Sequence, residues 1–197
     1  MIAGGTGGAT TTKHGLAFEG KTDLATCLKT YEGYDVDEDG NVYFKRERIA
    51  QIFKKIKFYN VFLTQLGIDW KKYLSCKLLP DDSIFVIIRN TLYIIECKYQ
   101  NCAGSVDEKL QTCDFKRKQY KRLLADKNID VEYIYLLSDW FRNERYRDVL
   151  NYIISVNCSY YFDYIPLCKL GLPAAKKKAL PANAVPSDKK RRFGNDA

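Results

Sequence analysis

The sequence predicts an α/β domain, a central sheet flanked by helices, from three observations. Two adjacent apolar runs, Ser83-Ile84-Phe85-Val86-Ile87-Ile88 and Tyr93-Ile94-Ile95-Glu96-Cys97-Lys98, are rich in residues that favour strands. A third run, Val131-Glu132-Tyr133-Ile134-Tyr135-Leu136-Leu137, reads as a further strand. Residues 107–126 and 143–156 instead space their apolar side chains as helices do.

In chain order, residues 1–13 are Gly- and Thr-rich and read as a flexible arm. A Gly-rich phosphate loop is the alternative, but no Gly-Lys-Ser/Thr closes it. Residues 15–30 read as a helix, with Leu16, Leu24 and Leu28 near one face and Glu19 and Asp23 available for a site. Asp35-Val36-Asp37-Glu38-Asp39-Gly40 begins like a calcium-binding loop. Its twelfth position is Arg46, where a bidentate Glu is required. A hairpin with an Asp-Gly turn explains the same residues and is favoured. Residues 46–66 read as a helix with Ile49, Ile52, Phe53, Ile56 and Phe62 inward. Its basic residues Arg46, Arg48, Lys54, Lys55 and Lys57 form either a phosphate-facing surface or a solvated one. Residues 70–78 lead into the two central runs as a strand or connector. The stretch 107–126 is a long basic helix, with Leu110, Cys113, Tyr120 and Leu124 able to pack and Lys109, Lys116, Arg117, Lys118, Lys121 and Arg122 outward. Tyr160–Leu167 reads as a final strand.

The chemistry sits on the two central runs. Leu79-Pro80-Asp81-Asp82 puts carboxylates at the start of the first, and the second ends in Glu96-Cys97-Lys98. Side chains alternate faces along a strand, so Glu96 and Lys98 point one way and Cys97 the other. The polar break Arg89-Asn90-Thr91 is a candidate hairpin turn that would bring Glu96 back near Asp82. Paired carboxylates can hold a hard divalent cation through oxygen. A lysine beside them can position or activate a water attacking a phosphodiester. Either Asp81 or Asp82 can be the metal ligand. Asp82 is favoured, because Asp-x-apolar-apolar suits an acid at the very start of a strand. Gln100 lies two residues past Lys98, on the same face if the strand continues.

These residues resemble the PD-(D/E)xK nuclease superfamily, and more closely its type II restriction endonucleases. Pro80-Asp81-Asp82 matches the first half of the motif and Glu96-Cys97-Lys98 the second. The continuation Tyr99-Gln100-Asn101-Cys102-Ala103-Gly104-Ser105-Val106-Asp107-Glu108-Lys109 is similar to a segment of some of these endonucleases. Gly15-Leu16-Ala17-Phe18-Glu19 resembles the first core helix of the fold, which often adds an acid to the metal site. The resemblance implies a restriction-endonuclease-like mixed central β-sheet flanked by helices. It also implies Mg²⁺-dependent cleavage of double-stranded DNA, Mn²⁺ being able to substitute, with 5′-phosphate and 3′-hydroxyl ends. Asp82, Glu96, Glu19 and the Cys97 carbonyl would hold metal, with Asp81 the alternative ligand. Lys98 would act on the water, and Gln100 would support the site or touch the DNA backbone. Site-specific cleavage of a palindrome would favour a homodimer, since protein two-fold symmetry mirrors that of the site. A structure-specific or repair nuclease, a DNA-binding protein without activity and an enzyme acting on RNA are the rival readings.

Composition bounds the rest. The chain of 197 residues is long enough for one domain with a core, placed at residues 14–170. Net charge is +8 with 32 Lys+Arg, which favours an anionic partner such as nucleic acid. The cysteines Cys27, Cys76, Cys97, Cys102, Cys113, Cys158 and Cys168 contain no Cys-x-x-Cys pair and His14 is the one histidine, so zinc is not expected. Scattered thiols and a start unlike a signal peptide point to an intracellular protein, and no apolar run reaches membrane-spanning length. Residues 171–197 read as a basic, disordered tail. Its clusters Lys176-Lys177-Lys178 and Lys189-Lys190-Arg191-Arg192 resemble a bipartite nuclear import signal, or form a DNA-holding arm, or have no dedicated role.

Overall fold

A run of antiparallel hairpins that turns into a parallel sheet organises the chain. The computed structural model describes residues 15–17, 24–100 and 106–178. Strands β2 (Tyr34–Val36), β3 (Asn41–Phe44), β4 (Glu47–Phe53), β5 (Asp82–Val86) and β6 (Thr91–Lys98) pair antiparallel, each with the next. Strands β7 (Asp130–Leu137) and β8 (Ser159–Phe162) then continue the sheet parallel to β6. The result is a mixed seven-stranded sheet in the order β2-β3-β4-β5-β6-β7-β8, the α/β architecture expected. A parallel pair needs a crossover. Helix α3 (Cys113–Leu124) lies between β6 and β7, and α4 (Arg147–Ser155) between β7 and β8.

Both faces of the sheet are covered, which is why β6 and β7 read as nearly continuous apolar runs. On one face Leu92, Ile94, Tyr133, Tyr135 and Leu137 pack with Phe58, Phe62, Tyr120 and Ile153. On the other, Tyr93, Ile95, Ile134 and Leu136 pack with Leu24 and Leu28 of helix α1 (Leu24–Lys29) and with Leu167 and Leu170. The alternation of neighbouring residues between two cores is the period-2 pattern made physical.

Several sequence expectations are corrected here. The helix expected over 15–30 is confined, among the described residues, to α1. Gly15–Ala17 is instead a strand, β1, paired antiparallel with β9 (Tyr164–Pro166). Glu19 lies outside the described residues. The helix expected over 46–66 is the strand β4 followed by a widened helical turn, Phe58–Leu63. Lys45 and Arg46 take positive φ and close a tight β3–β4 turn without a glycine. The register then slips between Val42 and Tyr43, so Val42 faces Ala50 while Tyr43 faces Arg48. Ile49 is the extra residue, and Ile49, Ala50 and Ile52 all reach one core while Phe53 reaches the other. That bulge erased the alternation and left a spacing that imitates a helix. The long helix of 107–126 is α2 (Val106–Lys109), a tighter turn Leu110–Thr112, and α3. The tail expected to be disordered from residue 171 begins with a docked segment. Tyr34 Oη donates to Pro173 O at 2.6 Å, Glu32 N to Lys176 O at 2.8 Å, and Lys178 N to Thr30 O at 2.7 Å. The second basic cluster, 189–192, lies outside the described residues.

The Asp-rich segment forms the expected hairpin. Asp37 accepts from Asn41 N and Nδ2, both at 2.8 Å, which closes the turn and holds the Asp37 carboxyl below its ordinary value. Gly40 sits at φ +82°, and a Cβ there would strike the Ile52 carbonyl oxygen. Gly40→Ala is expected to destabilise the protein by about 3 kcal/mol, the sum of a strained φ and a backbone collision. Urea unfolding of the two proteins measures it.

Candidate active site

Pro80 fixes where β5 begins. It is buried, and its carbonyl accepts from Lys55 N at 3.1 Å. The next residue, Asp81, is half exposed at the end of the strand. Its Oδ2 accepts from Cys97 N at 3.2 Å and stands 3.8 Å from Lys98 Nζ. A side-chain carboxylate thus continues the β5–β6 ladder one step past its last backbone pair.

The hairpin turn at Arg89-Asn90 forms as expected, with Asn90 in the left-handed region at φ 48°. It sets a register in which Asp82 faces Ile95. Directly opposed residues share a face, so Asp82 belongs with Ile95 and Cys97, and the position opposite Glu96 belongs to Asp81. The expectation that Asp82 joins Glu96 and Lys98 is therefore corrected. Asp82 is buried on the reverse face of the sheet, where its charge helps push the Cys97 thiol up. Asp81, the open alternative, stands with Glu96 and Lys98.

Glu96 and Lys98 share a face, as the alternation predicts, and Lys98 Nζ donates to Glu96 Oε2 at 2.8 Å. The Glu96 side chain is only 6% exposed. A buried carboxylate costs several kcal/mol unless compensated, and here a second cation compensates it: Lys116 Nζ of α3 lies 3.3 Å from Glu96 Oε1. Tyr135 stands opposite Glu96 in the β6–β7 pairing, and Tyr120 and Tyr133 are buried in the same core. Burial, and then the Glu96 charge among the lesser causes, raises all three hydroxyls above the ordinary tyrosine value. Lys116 was legible in sequence only as one of many basic residues on a helix. No local spacing reveals a partner 20 positions away, since only the packing of α3 on the sheet joins it to Glu96.

Gln100 is buried just past β6, where its backbone N–H reaches Ser138 Oγ at 3.3 Å. Among the described residues, its side-chain Nε2 and Oε1 have no hydrogen-bond partner. Cys97 points away from the lysines. Burial, then Asp82, then Asp81 push its thiol up to about 12. At pH 8 almost no thiolate exists at such a site. Iodoacetamide at pH 8 is therefore expected to label the exposed Cys76 and Cys168 and leave Cys97 unlabelled, as peptide mapping would show.

The donor set fits a hard divalent cation. Two carboxylates, Asp81 and Glu96, converge at the end of one hairpin, and the Gln100 amide, without a partner among the described residues, lies two residues past Lys98. Mg²⁺ is bound through one or two carboxylates, with waters and substrate phosphate completing its shell. Among the described residues no group of three or more His, Cys, Asp or Glu side chains gathers here or elsewhere. The third acid expected from sequence, Glu19, is outside those residues.

Comparison with known proteins adds one finding. A family model described as a PD-(D/E)XK nuclease superfamily domain matches residues 83–122. The match takes in Glu96, Lys98, Gln100 and Lys116, and starts just after the two aspartates. No curated protein and no solved structure matches the chain. The mixed sheet with helices on both faces is consistent with the same superfamily. Residues 83–122 are thus similar to a PD-(D/E)XK nuclease superfamily domain.

Proposed function

We propose that the protein is a Mg²⁺-dependent endonuclease that hydrolyses phosphodiester bonds of double-stranded DNA. The observation that carries this reading is the convergence of Asp81, Glu96 and Lys98 at one strand end, with Lys116 reaching in from α3. Asp81, Glu96 and the Cys97 carbonyl would hold the cation, and Glu19 is the further acid that the resemblance implies. The bound cation supplies charge stabilisation on the phosphate. Lys98 Nζ orients the attacking water and takes part in moving its proton. Lys116 stands as a fixed positive charge beside Glu96, able to offset charge on a scissile phosphate. The Gln100 amide can donate to a phosphate oxygen or hold the water. In-line attack of water on phosphorus breaks the bond to the 3′ oxygen and leaves 5′-phosphate and 3′-hydroxyl ends.

We extend the reading to site-specific, type II restriction-like cleavage by a homodimer. Its support is the similarity of residues 96–109 to those endonucleases and the net charge of +8. No helix among the described residues is long and apolar enough to cross a membrane. Long unmethylated DNA incubated with the protein and Mg²⁺ tests the proposal. Discrete fragments, re-ligated without prior phosphatase or kinase treatment, are expected. Intact DNA in both Mg²⁺ and Mn²⁺ would overturn the assignment.

A further inference from the structure

Beside the catalytic residues lies a cleft of about 480 Å³ that the hydrolytic chemistry does not use. Its walls are α3 and the segment leading to β5, the same two elements that supply Lys116 and Asp81. From α3 come Phe115, Gln119 and Arg122, one stripe of the helix at spacings of four and three residues. From the opposite wall come Lys71, Lys72 and Leu78. Leu78 lies three residues before Asp81, and Phe115 directly precedes Lys116.

The cleft is held open by fixed partners. Tyr59 Oη donates to Leu78 O at 3.0 Å, and Tyr120 Oη donates to the same carbonyl at 3.2 Å. Tyr73 Oη donates to Asp126 Oδ2 at 2.8 Å, tying the loop to the end of the helical segment. Lys77 Nζ lies 5.2 Å above the rings of both Tyr59 and Trp70. Among the described residues, no Asp or Glu lines the cleft, while three cations do. Phe115 is 60% exposed. The exposed Leu79 lies two residues before Asp81, and the exposed Tyr99 directly follows Lys98.

We propose that this cleft receives an unpaired nucleotide of the substrate strand, next to the scissile phosphate. The inference rests on the nuclease reading of the adjoining site. Lys71, Lys72 and Arg122 take the phosphates, Phe115 stacks on the base, and Gln119 meets the base edge as donor and acceptor. A base within a duplex has both faces covered, so an exposed phenyl ring can stack only on one that is extruded, frayed or single-stranded. The cleft volume lies within the range of sites that enclose a small ligand.

Binding to two fluorescent DNAs in EDTA tests this, one a blunt duplex and the other the same duplex with a short single-stranded overhang. The wild type is expected to prefer the overhang. Phe115→Ala is expected to weaken overhang binding about tenfold and leave the blunt duplex unchanged, as the loss of one base–aromatic stack does. Arg122→Gln is expected to lower the salt dependence of overhang binding by about one charge. Lys98→Ala, which removes cleavage under the nuclease reading, keeps the preference. A Phe115→Ala protein that binds both DNAs as the wild type does, or loses both equally, overturns the inference while wild-type cleavage still upholds the nuclease reading. A wild type that neither binds nor cuts DNA removes both.

Discussion

Glu96→Gln is expected to lower DNA cleavage by about a thousandfold or more while leaving the fold intact. The substitution keeps the shape of the side chain and one acceptor oxygen for Lys98 or Lys116, but removes the buried negative charge on which both ammonium groups converge. Two consequences follow. A neutral amide is a poor ligand for a hard divalent cation, and loss of about 4 kcal/mol of metal-derived stabilisation corresponds to roughly three orders of magnitude in rate. The site also becomes more positive by one charge, so DNA binding in EDTA is retained or tightened rather than lost. Rates and gel shifts measured on the same preparation separate these effects. A Glu96→Gln protein that cuts at the wild-type rate would remove Glu96 from the chemistry.

The second large effect distinguishes two neighbouring aspartates. Asp81→Asn is expected to reduce cleavage by at least about a hundredfold, because Asp81 shares a face with Glu96 and Lys98 and contributes the second carboxylate. Asp82→Asn is expected to leave the cleavage rate within a few fold of wild type, since Asp82 is buried on the reverse face beside Cys97. Its signature is elsewhere. Removing the Asp82 charge lowers the thiol pKa of Cys97, so Cys97 alkylates faster at pH 9 in Asp82→Asn than in the wild type. The opposite pattern, with Asp82→Asn inactive and Asp81→Asn active, would mean that β5 pairs with β6 one residue out of register.

That single register step shows what could be read from the sequence and what could not. Period-2 alternation was enough to place Glu96 and Lys98 on one face and Cys97 on the other, because these positions lie within one strand. It could not choose between Asp81 and Asp82, because the choice depends on pairing between strands. A shift of one residue sends every side chain to the other face. The register follows from the turn at Asn90, an asparagine in the left-handed region, and from the ladder that fixes Asp82 opposite Ile95. Strands β5, β6 and β7 were legible because they are buried on both faces and rich in β-branched and aromatic residues. Strand β4 was not, because the Lys45-Arg46 turn lacks the usual glycine and the bulge at Ile49 breaks the alternation. Strand β1 pairs with β9 from the far end of the chain, a contact that local propensity cannot report. Lys116 is the same problem inside the site.

The central claim is that Lys98, held against Glu96 and facing Asp81, acts in the hydrolysis of DNA. The measurement that tests it most directly compares wild type and Lys98→Ala on one long DNA, with Mg²⁺ and with EDTA, alongside gel shifts in EDTA. Fragments are expected only from the wild type with Mg²⁺, and binding from both proteins. Cleavage by Lys98→Ala at the wild-type rate, or wild-type cleavage undiminished by EDTA, would contradict it.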